Sequence, residues 1–338
     1  MSLSISKKIL AWYKKHQRDL PWRKFKSEKD RHYKVLLSEF MLQQTQVKTA
    51  IPYFNNFYKK ISSLDQLSKT TQFKVNKLWQ GLGYYRRAKF LLKSAKVIKK
   101  KFKSKLPKKY DDLIQLPGVG DYTAKAILSI AHDKSEIGID GNVKRVVSRI
   151  FSVQDNKKIP IYLEKLKVKK NASSLMQGIM ELGAIVCKPT KPLCDKCCLM
   201  NHCKFLHKKN KKNITLNKIT KKVKKLVACI YIKNNKILLT KNQNLGPLKG
   251  FINVPILDNF SNNLKKDLDF FFKQNINYSI LGKLNISISN FKAEILCINI
   301  KNLKKIDDTF SFYSHKQLDK KFISSFLNKI LKKVEFIH

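Results

Sequence analysis

The chain has 338 residues, of which 43% are hydrophobic, and its formal net charge is +48. This length suffices for two domains with separate cores, and no apolar run approaches the roughly 18 residues of a membrane span. The N-terminus lacks the apolar stretch and small-residue cleavage site of a signal peptide, so we expect a cytoplasmic, reducing setting and no membrane partner. The charge suits a polyanion. However, only seven of the 71 basic residues are arginine, and AT-rich codon usage explains such a bias equally well.

Apolar spacing near 3.6 residues predicts helices through the first two hundred residues. Tyr33–Gln46 is predicted to be one helix, followed by Val75–Gln80 and Tyr84–Lys101. Further helices are predicted at Asp121–Ala131, whose small residues permit close packing, and from Val143 onward. The first domain is therefore predicted to be all-α.

A glycine-containing turn, Leu116-Pro117-Gly118-Val119-Gly120, interrupts these helices. Pro117 ends one helix, while Gly118 and Gly120 allow backbone angles that a side chain would forbid. Asp121 is expected to cap the helix that follows. Free backbone amides in such a hairpin suit a DNA phosphate, although the turn alone is equally typical of an ordinary helix–helix connection.

Four cysteines form a compact set, with six, two and five residues between Cys187, Cys194, Cys197 and Cys203. In a chain without a secretory signal, this pattern favours a metal or cluster site over disulfides. Four thiolates suit both structural zinc and an iron–sulfur cluster, so the chemistry alone leaves both open. Cys198 is interpreted as a bystander, and Cys229 and Cys297 as small core residues.

The character of the sequence changes after residue 206. Residues 207–225 form a polar, lysine-rich linker, and residues 226–338 are predicted to be an α+β domain. Strands are expected at Leu226–Ile232 and Ile237–Thr240, which flank a hairpin turn at Lys233-Asn234-Asn235, and at Phe251–Leu257 and Glu294–Ile300. A closing amphipathic helix carries Phe322, Phe326, Ile330 and Val334.

The hairpin, with Asp140 twenty residues beyond Gly120, resembles the helix-hairpin-helix DNA glycosylases of the endonuclease III superfamily. Three further segments, Leu20–Arg23, Ser38–Val47 and Gly81–Arg86, resemble the adenine DNA glycosylases of the MutY type. The resemblance covers residues from about 11 to 206. It implies an all-α helix-hairpin-helix glycosylase core (residues 1–206) with an iron–sulfur loop, and a C-terminal Nudix-like domain.

The function implied by the resemblance is that of a monofunctional enzyme of base excision repair. It would act as a monomer on double-stranded DNA, flipping out and excising adenine mispaired with 8-oxoguanine or guanine. The four cysteines at positions 187, 194, 197 and 203 would hold one 4Fe–4S cluster per chain.

Glu39 is the candidate general acid. Val35, Leu36 and Leu42 lie within a turn of it on the same side of the predicted helix, and burial among aliphatic groups raises the pKa of a carboxyl. A raised pKa is what a general acid needs near neutral pH. By resemblance, Glu39 would protonate a ring nitrogen of adenine and later activate water. In isolation, a surface glutamate would be the commoner reading.

Asp140 precedes a helix, where free amides and the helix dipole stabilise a carboxylate. An aspartate there is usually only a cap, but a capped carboxylate can also face the cationic sugar that remains when the base departs. The resemblance gives Asp140 that role and implies that Asn142 positions the DNA backbone or the attacking water.

Tyr122 separates two classes of enzyme. In bifunctional relatives this position is a lysine that attacks the sugar and cuts the strand, and a phenol cannot form that Schiff base. Lys125 should point about 60° away around the helix. We therefore expect base excision without an efficient lyase step, and Tyr122 would help to stabilise the transition state.

The remaining site residues follow from the resemblance. Gln44 and Tyr85 would wedge into the base stack. Ser289, in Ile288-Ser289-Asn290, would contact 8-oxoguanine, with weaker discrimination than relatives that carry an aromatic residue and a histidine there. Residues that would contact adenine or DNA are Arg18, Trp22, Arg23, Leu42, Gln43, Tyr84, Gly118, Gly120 and Glu181.

Two alternatives remain open from the sequence. A bifunctional endonuclease III-like glycosylase/lyase shares the hairpin, Asp140 and the cysteines, but it would carry a lysine in place of Tyr122. A non-catalytic DNA-binding protein needs the hairpin and cluster only, and the presence of both Glu39 and Asp140 argues against it.

Overall fold

The computed structural model of the protein describes residues 2–207, 222–241, 251–258, 260–288, 291–319, 321 and 323–336. The chain forms two compact units, one of Met1–Val75 with Arg86–Asn217, and one of Asn76–Tyr85 with Lys218–His338. Residues 76–85, which the sequence pattern assigned to the helical domain, thus belong to the second unit. Within the described part of the chain, every helix is too short or too polar to cross a bilayer.

The N-terminal part of the chain is helical, as predicted. Its helices are α1 (Ser2–His16), α2 (Glu28–Leu42), α3 (Val47–Lys60), α4 (Leu64–Lys69), α5 (Gln72–Trp79), α6 (Arg86–Phe102), α7 (Tyr110–Ile114), α8 (Asp121–His132), α9 (Gly141–Phe151), α10 (Ile159–Glu164) and α11 (Ala172–Glu181). A π-helical turn, Leu182–Val186, continues α11 and leads into the cysteine loop.

Helix α2 differs from the predicted Tyr33–Gln46 helix at both ends. It begins earlier because the Ser27 side chain accepts a hydrogen bond from the Asp30 backbone N–H, at 3.2 Å, and so caps the first turn. It ends at Leu42 because Gln43 leaves the helical conformation. The last turn of α2 therefore lies directly before a short connection to α3.

Close packing of α8 brings the central helices together. Ala124 and Ala126 are fully buried and Ala131 is 3% exposed, and α8 packs against α2 and α11. Small side chains allow such helices to approach closely, as the sequence predicted. Glu39 on α2 and Tyr122 on α8 are thereby carried on neighbouring helices.

The second unit is α+β, as predicted. Its strands are β1 (Lys222–Ile230), β2 (Ile232–Lys233), β3 (Lys236–Thr240), β4 (Ile256–Leu257), β5 (Tyr278–Ile288), β6 (Phe291–Ile300) and β7 (Phe310–Ser314), and its helices are α12 (Leu264–Phe272), α13 (His315–Asp319) and α14 (Ser325–Lys333). Among the described residues, one sheet has the order β4-β1-β6-β5 and another the order β2-β3-β7.

The predicted hairpin forms, but with different strands. Asn234 and Asn235 both have positive φ, 51° and 54°, which is the geometry of a two-residue hairpin turn. This turn joins β2 to β3. The prediction that Leu226–Ile232 is one strand of the hairpin is wrong. The strand is interrupted at Tyr231, and β1, which precedes it, pairs in parallel with β6.

Alternate residues of β1 enter two different hydrophobic clusters. Ala228 lies with Leu327 and Ile330 of α14, whereas Cys229 lies with Leu268 of α12. Successive side chains of a strand point to opposite faces, so helices cover both faces of this sheet. The interpretation of Cys229 as a core residue is confirmed, since it is 1% exposed and unpaired.

Candidate active site

A cavity of about 900 Å³ in the helical unit brings together most of the predicted site residues. Its walls include Arg18, Trp22, Arg23, Glu39, Leu42, Gln43, Gln44, Gly118, Gly120, Tyr122, Asp140, Asn142 and Glu181. These residues are spread over more than 160 positions of the sequence. The fold thus gathers into one cavity the residues that separate motifs singled out.

Glu39 lies on α2 and faces this cavity while only 5% exposed. Burial is the main reason that its pKa is raised to about 8, and the nearby charge of Asp140 raises it further. A hydrogen bond with the Tyr122 side chain opposes this rise. At neutral pH the carboxyl is therefore mostly protonated and can donate a proton, as the apolar spacing on α2 predicted.

Asp140 is the N-cap of α9. Its Oδ1 accepts a hydrogen bond from the Val143 backbone N–H at 2.7 Å, and its Oδ2 accepts one from Asn142 Nδ2 at 3.0 Å. Both bonds fix the orientation of the side chain at the start of α9. The carboxyl remains half-buried on the cavity wall, so the same group caps a helix and faces the space where a substrate would lie.

Tyr122 interacts electrostatically with both carboxyl groups. Its pKa is raised well above the ordinary value by burial and by the charges of Glu39 and Asp140, so the phenol stays neutral. Lys125, the nearest lysine in sequence, is turned away and forms an ion pair with Asp121 at 2.9 Å.

One wall of the cavity contains an ion cluster around a buried carboxylate. Glu181 is 1% exposed, and its carboxylate contacts Arg18 Nε and Arg23 Nη1, each at 2.8 Å. Arg23 also donates to Gln177 Oε1 at 2.8 Å. Because Glu181 is shared by two guanidinium groups, it fixes the direction of both; Trp22 lies on the same wall.

The glycine hairpin is confirmed at one glycine and differs at the other. Gly118 has φ +81°, and a Cβ there would lie 2.7 Å from Phe90 Cβ, so a side chain is excluded. Gly120 has φ −98° and open space at its Cβ position, so the argument that Gly120 needs a special angle is wrong. Gly120 is also the N-cap of α8, and Asp121, predicted to be the cap, is the first helical residue.

The structure does not bring every predicted contact to the cavity. Tyr84 and Tyr85 belong to the second unit. There the Tyr85 hydroxyl accepts a hydrogen bond from the Ser325 backbone N–H at 3.0 Å, and its ring lies 5.4 Å from that of Phe251. Ser289 lies outside the described residues.

The four predicted ligand cysteines line a second, smaller cavity of about 210 Å³, and Cys198 is absent from its described walls. Arg149 Nη1 lies 3.4 Å from Cys187 Sγ. In the described part of the chain, no three Cys, His, Asp or Glu side chains are arranged around a single metal ion. Four cysteine side chains around one cavity are a ligand set that a 4Fe–4S cluster can use.

Arg145 is a buried cation beside the site that the sequence pattern did not single out. It is 8% exposed and donates to the carbonyls of Cys187 and Gly183 and to Asn142 Oδ1, at 2.8, 2.8 and 2.7 Å. These bonds connect the cysteine loop to Asn142, which in turn donates a hydrogen bond to Asp140. Lys48 and Gln177, which also line the main cavity, were missed as well because neither lies in a distinctive local motif.

Comparisons with known proteins match this chain to DNA repair proteins. Residues 37–170 match the HhH-GPD superfamily of base excision DNA repair proteins. The chain is 41% identical to the adenine DNA glycosylase of Buchnera aphidicola subsp. Schizaphis graminum, over 61% of this chain and 60% of that protein. It is 40% identical to that of Buchnera aphidicola subsp. Baizongia pistaciae, over 70% of this chain and 69% of that protein. A solved structure of a thermostable thymine-DNA glycosylase has a TM-score of 0.53 and 25% identity, covering 61% of this chain and 96% of that one.

Proposed function

The chain belongs to the adenine DNA glycosylases of the HhH-GPD superfamily, and from that premise we propose that it excises adenine mispaired with 8-oxoguanine or guanine in duplex DNA. The observation that carries the proposal is the pair of carboxyl groups on one cavity. Glu39 is buried with a pKa of about 8, and the Asp140 carboxyl group accepts a hydrogen bond from the Val143 backbone N–H in the first turn of α9. A neutral acid opposite a carboxylate is the arrangement that breaks a glycosidic bond.

The reaction follows from these two groups. Protonated Glu39 donates its proton to a ring nitrogen of the extruded adenine, and the bond between base and sugar breaks with its electrons moving to the base. The Asp140 carboxylate faces the positive charge left on the sugar and stabilises it. Water then adds to the sugar carbon, and the Glu39 carboxylate takes up the proton that the water releases, which regenerates the acid.

Strand cleavage is not part of the proposed reaction. Position 122 carries a phenol that stays neutral, and Lys125 is engaged by Asp121. Tyr122 instead hydrogen-bonds Glu39 and would keep the acid oriented toward the base. The product is then an intact strand with an abasic site.

Binding of DNA is assigned to the surface around the cavity. The target bond is shielded in the duplex, so the nucleotide has to be extruded into the cavity. Backbone amides of the hairpin at Gly118 would contact a phosphate, while Gln44 and Lys48 at the cavity wall would enter the groove. The opposite base would be read by the second unit. We propose that one chain acts alone, in the cytoplasm.

A glycosylase assay tests the function. Duplexes with adenine opposite 8-oxoguanine, guanine or thymine are incubated with the full chain, and abasic sites are revealed by alkaline cleavage. We expect excision opposite 8-oxoguanine and guanine, and little opposite thymine. Borohydride in a parallel reaction should trap little covalent complex. Efficient trapping would instead favour a lyase, and absence of excision from all three duplexes would refute the proposal.

The excision rate should fall as pH rises through the pKa of Glu39. The active form is the protonated acid, so the single-turnover rate is highest below about pH 8 and drops by about tenfold per pH unit well above it. The measurement is the single-turnover rate at subsaturating enzyme across this range, because this rate reports the pKa of the free protein. A rate that instead increases through pH 8 would show that ionised Glu39 is the reactive form.

We also propose that Cys187, Cys194, Cys197 and Cys203 hold one 4Fe–4S cluster. When bound, the cluster would fix the loop that carries Lys188, Lys191 and Lys196 and so present these cations to phosphate. The four sulfur atoms around the smaller cavity support this assignment.

The iron content of two cysteine variants distinguishes the four proposed ligands from the neighbouring Cys198. Purified protein should be brown and contain about four iron atoms and as many sulfides. Cys194→Ser should lose most of the iron, whereas Cys198→Ser, which alters a thiol outside the cavity walls, should keep it. Stoichiometric zinc in a colourless protein, or iron loss in Cys198→Ser, would contradict the assignment.

A further inference from the structure

Arg87 is a buried cation at the end of the helix that carries Glu39. It lies in the first turn of α6, is 6% exposed, and directs its guanidinium group at the C-terminus of α2. Nη1 donates to the carbonyls of Phe40 and Met41, at 3.1 and 2.7 Å, and to that of Gln43. The last turn of α2 has no basic residue of its own, so Arg87 supplies the positive charge that helix C-termini favour.

The same guanidinium group fixes the connection that follows α2, residues 43–46, which we term the rim turn. Arg87 Nη2 donates to Thr45 Oγ1 at 3.0 Å. Gln44 is exposed with φ +57°, a conformation that costs a non-glycine residue free energy and persists only where its surroundings hold it. The four hydrogen bonds from Arg87 to the helix end and to residues 43 and 45 hold Gln44 in this conformation beside the cavity.

Helix α6 also holds the glycine hairpin. Ser94 Oγ donates to the Pro117 carbonyl at 2.7 Å, and the Phe90 side chain packs on Gly118 so closely that a Cβ there would clash. Gln43 Nε2 contacts the Gly118 carbonyl at 3.2 Å. One helix therefore sets the spacing between the rim turn and the hairpin, and Arg87 is its link to the rim turn.

We propose that Arg87 is a positioning residue for extrusion of the target nucleotide. It acts through the rim turn, holding Gln44 where it can enter the base stack when the nucleotide leaves it. The inference rests on the proposed function, because it assumes that the cavity receives a flipped base. It assigns Arg87 no contact with the base or the sugar.

The test separates extrusion from chemistry. Extrusion is followed as the fluorescence of 2-aminopurine at the target position, opposite 8-oxoguanine, with protein carrying Glu39→Gln so that the base is retained. Adding Arg87→Met should reduce the fluorescence rise on binding by about tenfold, since small displacements of positioning groups have effects of this size or larger. Thr45→Val, which removes one contact and no charge, should reduce it less, and Arg87→Lys should restore part of the signal.

Two controls distinguish positioning from a general loss of structure. Lys89→Met removes the same charge from an exposed residue of the same helix and should leave the extrusion signal intact. In protein with Glu39 present, Arg87→Met should slow excision by about 100-fold while the pH midpoint of the excision rate stays at the wild-type value. A full extrusion signal in Arg87→Met, or a displaced pH midpoint, would overturn the inference. Lack of extrusion with Glu39→Gln alone would instead count against the proposed function.

Discussion

Replacing Glu39 with glutamine should lower the single-turnover rate of adenine excision by about 10³-fold or more, since a general acid contributes on the order of 10²–10⁴-fold. Glutamine has nearly the same shape and can still contact Tyr122, but it has no proton to donate to a departing base. Binding of DNA should be unchanged, because Glu39 is buried within the cavity wall. The measurement is excision from the 8-oxoguanine duplex at saturating enzyme.

The same substitution should stabilise the protein at neutral pH. The pKa of Glu39 is about 8 when folded, against 4.5 for an ordinary glutamate. Between these values the unfolded chain has released the proton and the folded chain has kept it, so stability falls as pH rises through this window. Glutamine removes this dependence and should raise the free energy of unfolding by roughly 1–3 kcal/mol near pH 7.

Urea unfolding at two pH values checks the stability prediction, since the gain should shrink toward pH 4.5. Glu28→Gln is the matched control, because Glu28 lies at the other end of α2 and its side chain is 70% exposed. It should change neither excision nor stability markedly. Excision by Glu39→Gln within about tenfold of the wild-type rate would contradict the assigned acid.

Replacing Asp140 with asparagine should lower the excision rate by about 10²–10³-fold, a loss typical of removing one preorganised electrostatic group. Asparagine caps a helix about as well as aspartate, and its carbonyl can accept the Val143 hydrogen bond. What is lost is the negative charge opposite the sugar cation. The melting temperature should therefore change little while the rate of base release collapses.

Asp155→Asn provides the comparison for this prediction. Asp155 is exposed, accepts a hydrogen bond from the Lys157 backbone N–H at 2.9 Å and lies outside the walls of the cavity. The Asp155→Asn variant loses the same negative charge and should retain full activity. If Asp140→Asn melts much earlier than the wild type, the residue acts chiefly as a cap; if it excises normally, the sugar cation is stabilised by another group.

Local patterns predicted the surroundings of the two carboxyl groups. Aliphatic neighbours one turn from Glu39 predicted its burial, and the position of Asp140 before a helix predicted its cap. Contacts between residues far apart in the sequence could not be predicted from such patterns. Glu181 meets Arg18 across 163 residues, and Arg87 meets Gln43 across 44. Contacts of this kind depend on how helices pack, which periodicity within one helix does not specify.

In the sheets of the second unit, too, local patterns predict turns but not the pairing of distant strands. The Asn234-Asn235 turn was predictable because positive φ at two successive residues suits asparagine. The partner of β1 was not predictable, because its parallel pairing with β6 joins residues about 69 positions apart, such as Leu226 and Ile295. The chain between them carries several other segments of similar β character, any of which could occupy the neighbouring position.

The electrostatic link between Glu39 and Asp140 has a consequence for association with a nucleic acid. The negative charge of Asp140 already discourages ionisation of Glu39, and each phosphate that settles around the cavity adds to that effect. Complex formation at mildly alkaline pH should therefore be accompanied by net proton uptake from the buffer. Calorimetric titration in buffers of different ionisation enthalpy would measure this proton uptake. A larger fraction of Glu39 would then be protonated in the complex than in the free protein.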